Sequence, residues 1–253
     1  MTFSVLMLIP FSLVLGMGVF FVWLISRHVN RTHRSRLREL SARENAFAPG
    51  SSHLRPLLSG QLCRWVAIRS RNLDAVQTAL GLDNPVPCSW TEGIVQVSER
   101  KLFLSPPVNG WILVVGPRLP DPADDVDACF HFLHRLSREL GEVQFFSVNR
   151  IVGHHAWARF DGGEAFRGYA WAGETLWNHG PKTWAERKLG LKCYGYLEGA
   201  SELRFETLEQ ARANVERVML LAASWSIDPT SVDENMLTDA RGVAGDLSRI
   251  RLR

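Results

Sequence analysis

The residues best able to do chemistry fall in two stretches. Asp121, Asp124, Asp125 and Asp127 place four carboxylates within seven residues, and His131 and His134 follow closely. Such a set could hold a divalent cation or move protons. The same acids, however, open an apolar repeat of Val126, Cys129, Phe130, Leu133, Leu136 and Leu140 at helical spacing, with Asp121 as cap, Pro122 at the first helical position and Gly141 as stop. Acids in the first turns and His131, His134, Arg135 and Arg138 toward the end complement the helix dipole, so capping accounts for the whole distribution. His154 and His155 are adjacent, and on a strand they point to opposite faces and cannot share one metal. Cys63, Cys88, Cys129 and Cys193 form no CxxC pair, which leaves a zinc ribbon and a thioredoxin-like motif unsupported and reads as isolated reduced thiols. The chain also lacks GxSxG, HExxH and a Walker-type loop. No catalytic residue, metal site or cofactor is assigned.

The second stretch is HHAWARFDGGEAFRGYAWAGETLWN, from His154 to Asn178, where two aromatic alternating runs flank Asp161-Gly162-Gly163. These are the strands of a hairpin. With Asp161-Gly162 as a two-residue turn, Arg159 faces Glu164 and Trp157 faces Phe166, an ordinary core hairpin with a rim ion pair. This is the favoured reading, and it makes Trp157 a core residue. With all three residues in the loop, Ala156, Ala158, Phe160, Phe166, Gly168 and Ala170 share one face, and His155, Trp157, Arg159, Arg167, Tyr169 and Trp171 share the other. Exposed, that second set would be a binding surface, because Trp, Tyr and Arg carry most interface energy.

What positions these runs begins at a bilayer. Residues 3–26 carry no charge, and about 22 helical residues at about 1.5 Å rise cross the roughly 30 Å hydrocarbon core. Pro10, Gly16 and Gly18 are tolerated in such a helix, and Trp23 suits an interfacial anchor. No basic residue precedes the run and no A-x-A cleavage site follows, so a retained span fits better than a signal peptide. Arg27, Arg31, Arg34, Arg36, Arg38 and Arg43 come next; the first five are expected at the membrane surface, and the positive-inside rule puts the C-terminal side in the cytoplasm. Residues 27–43 are net +5 within a chain of net +3, leaving −2 for the rest. The basicity belongs to the tether, and nucleic acid is not an expected partner.

Residues 27–61 read as basic segment and linker, residues 62–232 as one domain and residues 233–253 as a polar tail. Within the domain, LCRWVAIRS is a strand, and Asn72 to Gly81 brackets a short capped helix. WTEGIVQVSE, KLFLS, GWILVVG and EVQFFSVNR are β-prone, while Thr183 and Glu186 make a capping box and Gly190 a stop. A last long helix is expected over 208–223. Hairpins mixed with helices imply an α+β fold: one transmembrane helix, then one cytoplasmic domain with a largely antiparallel sheet and packed helices.

The stretch from Trp157 to about Leu191, W-A-R-x-D-G-G through Y-A-W-x-G-E-T-L-W-N-x-G, resembles a pattern in uncharacterised bacterial proteins and covers about a seventh of the chain. That resemblance implies no activity and transfers no functional residue. The use of 25 Arg against four Lys fits a GC-rich bacterial genome. The expected protein is a single-pass protein of the bacterial inner membrane, whose partners are the bilayer through residues 3–26 and an unidentified protein or small ligand. It is read as an interaction module, inhibitory or immunity-like roles included. The alternative is a hydrolase whose polar groups converge only in three dimensions.

Overall fold

A computed structural model describes residues 62–98, 101–196, 205–232, 237 and 240–247, all within the compact unit 52–253. The expected span 3–26 and the arginines from Arg27 to Arg38 lie outside the described residues. Among the described residues no helix is long and apolar enough to cross a membrane.

Nine strands form one sheet: β1 (Leu62–Ile68), β2 (Leu82–Cys88), β3 (Leu102–Leu104), β4 (Ile112–Val115), β5 (Val143–Asn149), β6 (His154–Asp161), β7 (Glu164–Trp171), β8 (Thr175–His179) and β9 (Gly242–Leu247). Their order is β2-β9-β3-β4-β1-β5-β6-β7-β8, and every pairing is antiparallel. Helices cover both faces. Alternation along the strands divides the core accordingly. Val66, Ile68, Phe145, Ala158 and Phe160 pack under α1 (Leu73–Leu80) and α3 (Val126–Leu140). Trp65, Phe103, Phe146, Trp157 and Tyr169 pack under α2 (Trp90–Ser98), α4 (Trp184–Lys188) and α5 (Phe205–Trp225). The α+β architecture with a large antiparallel sheet is therefore present.

Several local expectations change. WTEGIVQVS, expected as a strand, is helix α2. Ser89 and Glu92 form a reciprocal cap, with Ser89 N donating to Glu92 Oε2 at 2.7 Å and Glu92 N to Ser89 Oγ at 3.2 Å, and Trp90 and Ile94 share the buried face. Helix α3 is capped by Asp125 rather than Asp121, whose carboxylate turns instead to Arg64. The tail expected over 233–253 contains β9, an interior strand between β2 and β3 with Val243 and Ala244 buried. Its two glycines hid it: a Cβ on Gly242 would overlap the Leu104 carbonyl oxygen, and one on Gly245 would lie 2.7 Å from the Asp83 carbonyl.

The central hairpin adopts neither expected loop. Asp161 pairs with Glu164 across Gly162-Gly163, whose φ angles of 56° and 91° make a two-residue turn that only glycine adopts freely. A bulge between Arg159 and Phe160 then sets Arg159 opposite Arg167, Trp157 opposite Tyr169 and His155 opposite Trp171. His155, Trp157, Arg159, Arg167, Tyr169 and Trp171 thus share one face, as the longer loop predicts. That face is nevertheless core, as the shorter loop predicts for Trp157, because α4 and α5 lie over it. Phe166 is the extra residue of the bulge and is 56% exposed.

Candidate functional site

The face of β6 and β7 that carries the six hairpin residues faces the segment from Gly180 to Tyr196, and polar side chains join the two. Arg167 is buried with 1% exposure and Glu186 with none. Arg167 Nε donates to Glu186 Oε1 at 2.8 Å, and Trp157 Nε1 donates to the same oxygen at 2.8 Å. Glu186 is also N3 of the capping box, so its Oε2 accepts from Thr183 N at 2.6 Å. One carboxylate therefore caps α4 and pins that helix to two strands. The remaining guanidinium donors go to Asn178 Oδ1 at 2.9 Å, to the carbonyls of Gly168, His179 and Gly180, and to Cys193 Sγ at 3.2 Å. Burial pushes the Cys193 thiol up to about 11, so it is a poor nucleophile at neutral pH.

The same segment is held at two further points. Tyr194 N donates to the Tyr169 hydroxyl at 3.1 Å, and burial pushes that phenol up to about 12. His155 has 2% exposure; Asn214 of α5 lies 3.1 Å from its Nε2 and holds Lys192 by its backbone N–H and carbonyl. The His155 Nδ1 lies 3.0 Å from the Gly153 carbonyl, which makes it the donor and leaves Nε2 to accept from Asn214. Burial lowers this imidazole to about 4. Trp171 stacks at a tilt on Tyr194 with centroids 5.2 Å apart, and Arg159, half-exposed, pairs outward with Glu142 at 2.9 Å. Of the six hairpin residues, five are thus buried and hold the segment, and none is free surface except part of Arg159.

What this framework presents to solvent is the outer side of the segment. Trp184 is 64% exposed and Tyr196 58%. Lys188 Nζ lies 4.7 Å from the Trp184 ring centroid, Lys182 Nζ donates to the Leu191 carbonyl at 3.1 Å, and Arg187 donates to the Lys182 carbonyl. The Tyr196 hydroxyl accepts from Asn178 N at 2.9 Å, which caps the outer edge of β8. Residues on this surface escaped sequence reasoning, though its signal was available: an inward arginine at 167 demands a counter-charge, and Glu186 is the only acid between residues 180 and 196.

A second feature lies on the opposite face of the sheet. Asp121, Ser147, Asn149, His154 and Leu176 line a narrow cleft with room for about one water molecule. Arg64 is buried against two of these residues, ion-paired to Asp121 and donating to Ser147 Oγ at 3.4 Å as well as to the Leu119 carbonyl. The half-buried His154 is held below its ordinary pKa by burial, which Asp121 partly offsets. At neutral pH this imidazole is therefore uncharged and able to accept a proton. Among the described residues no group of three His, Cys, Asp or Glu side chains could hold a metal ion.

No family model, curated protein or solved structure matches the chain.

Proposed function

We propose that this protein is a membrane-tethered interaction module, and that the segment from Gly180 to Tyr196 is its contact surface. The observation that carries the reading is the use of a fully buried Arg167–Glu186 pair to immobilise a surface segment whose outward side chains are Trp184, Lys188, Lys192 and Tyr196. Burying an ion pair is rarely a route to stability for its own sake. It does fix geometry, and a fixed aromatic surface loses little entropy on binding. The uncharged run 3–26 and the arginines that follow it support the tether. Photo-crosslinking from residue 184 or 196 of the full chain, in the membranes of the cells that make it, tests this reading, with Val86 on edge strand β2 as the exposed control. Adducts from 184 and 196 but not from 86 are expected. Equal adduct yields at all three positions, or none at any, would overturn the surface assignment.

The cleft favours a second reading as a hydrolase, because Ser147 and a neutral His154 line one concavity beside Asp121. Labelling of Ser147 by a fluorophosphonate, abolished by His154→Ala, would support it. Absence of labelling in the folded protein would remove it.

A further inference from the structure

We infer that the contact surface fits an anionic lipid headgroup layer, so that the domain lies against the bilayer that anchors it. This rests on the interaction-module reading and names its partner. Only four lysines occur in the chain, and three of them, Lys182, Lys188 and Lys192, fall within eleven residues of one another. Arg187 adds a fourth cation to this stretch, and the sole acid, Glu186, is neutralised internally by Arg167. The segment therefore carries four cations, three exposed and Lys182 half-buried, with no exposed acid of its own, in a chain that is net −2 outside residues 27–43. The charge is local, and it calls for a negative partner.

The aromatic residues decide which negative partner. Trp184 and Tyr196 stand more than half exposed, and rings with one polar edge sit preferentially at headgroup depth. Lysine complements them there, since its aliphatic stem lies along apolar groups while the ammonium reaches phosphate. Contacts link the cations and Trp184: Lys188 lies over Trp184, Lys182 reaches the Leu191 carbonyl beside Lys192, and Arg187 returns to the Lys182 carbonyl, while Tyr196 is held on β8 by Asn178. Lys192 is anchored from beneath by Asn214 through its backbone, which leaves its side chain facing outward and exposed. A nucleic-acid site would need a longer cationic track than one seventeen-residue segment on an otherwise acidic body. Weak intrinsic affinity suffices, because a short tether supplies an effective concentration of the order of millimolar.

The test uses the full chain reconstituted into vesicles of phosphatidylcholine alone and of phosphatidylcholine with about a third phosphatidylglycerol. Amide hydrogen exchange over 180–196 is compared with that over 62–98. The expected result is slower exchange over 180–196 in the anionic vesicles only, reversed by 0.5 M salt and by the triple variant Lys182→Glu, Lys188→Glu, Lys192→Glu, while 62–98 is unchanged. Equal exchange in the two vesicle types, or protection that survives the triple variant, overturns the inference. If the chain is not retained by the neutral vesicles, it is the tether that fails. The surface is then judged by co-sedimentation of the chain with anionic vesicles, where a loss of at least about tenfold in the triple variant supports it and unchanged binding overturns it. A protein adduct from residue 184 that forms equally in detergent keeps the interaction module and removes the lipid partner.

Discussion

Replacing Glu186 by Ala should cost the domain about 3–5 kcal/mol, because it strands a charge that has no other route to water. The carboxylate accepts from Arg167 Nε at 2.8 Å, Trp157 Nε1 at 2.8 Å and Thr183 N at 2.6 Å, and neither partner of the ion pair is more than 1% exposed. After the substitution, Arg167 keeps only neutral acceptors, among them Asn178 Oδ1 and the Gly180 carbonyl. Against a total stability of about 5–15 kcal/mol this is a large fraction, and it lowers Tm by roughly 10 °C in a domain of this size. Urea titration of the full chain, followed by tryptophan fluorescence, reads the change directly. The double variant Arg167→Met, Glu186→Leu removes both charges and should lose less than Glu186→Ala alone, since an apolar pair of similar volume is tolerated where a lone charge is not. A single variant within about 0.5 kcal/mol of wild type, or a double variant worse than the single, would refute the account of the clamp.

Trp157→Ala should cost about 3–5 kcal/mol, as deletion of a fully buried aromatic does, whereas Trp184→Ala should stay within about 0.5 kcal/mol; the same urea titrations compare them. Stability should also fall with acid. His155 titrates near 4 when folded and near its ordinary value of about 6.5 when unfolded, so between those values the unfolded chain binds the extra proton. The contribution of about 3 kcal/mol is fully present above about pH 6.5 and is lost as pH falls toward 4, and His155→Asn should flatten that slope in pH-dependent melts. Gly180→Ala should destabilise by more than about 1 kcal/mol, since φ there is 71° and a Cβ would overlap the Phe166 carbonyl; an unchanged Tm would count against the close approach of β7 and residue 180.

Where local signals agreed with burial, the elements could be read from sequence. Asn72 and Gly81 bracket α1 with the expected cap and left-handed stop, and Thr183 and Glu186 form the expected box. The sequence of helix α2 suggests a strand because Ile94, Val95 and Val97 are β-prone, while the Ser89–Glu92 cap that decides the matter is a two-residue signal. Strand β9 was illegible for the opposite reason: glycines chosen for close backbone approach carry no strand propensity. The candidate surface was half legible. The grouping of three lysines stands in the sequence, but the exposure of Lys188 and Lys192 follows only once Glu186 is known to point inward.

The bulge explains why the hairpin admitted two readings that both proved partly true. Face assignment on a strand depends on the parity of the pairing, and one extra residue reverses it. The glycine turn alone would have paired Trp157 with Gly168, placing the hairpin's aromatic residues on opposite faces. Insertion of Phe166 restores the parity, so that Trp157 meets Tyr169 and Arg167 enters the core opposite Arg159. Two arginines directly opposite each other repel. The fold separates them by sending Arg159 outward to Glu142 and by bringing Glu186 down to Arg167, which draws helix α4 onto the sheet. The exposed position of Trp184, two residues before Glu186, is a consequence of that inward pull, because a helix that buries N3 on one side must present N1 on another. The surface proposed for binding and the buried clamp are thus two sides of one short helix, and the position of that helix traces back to a single extra residue in β7.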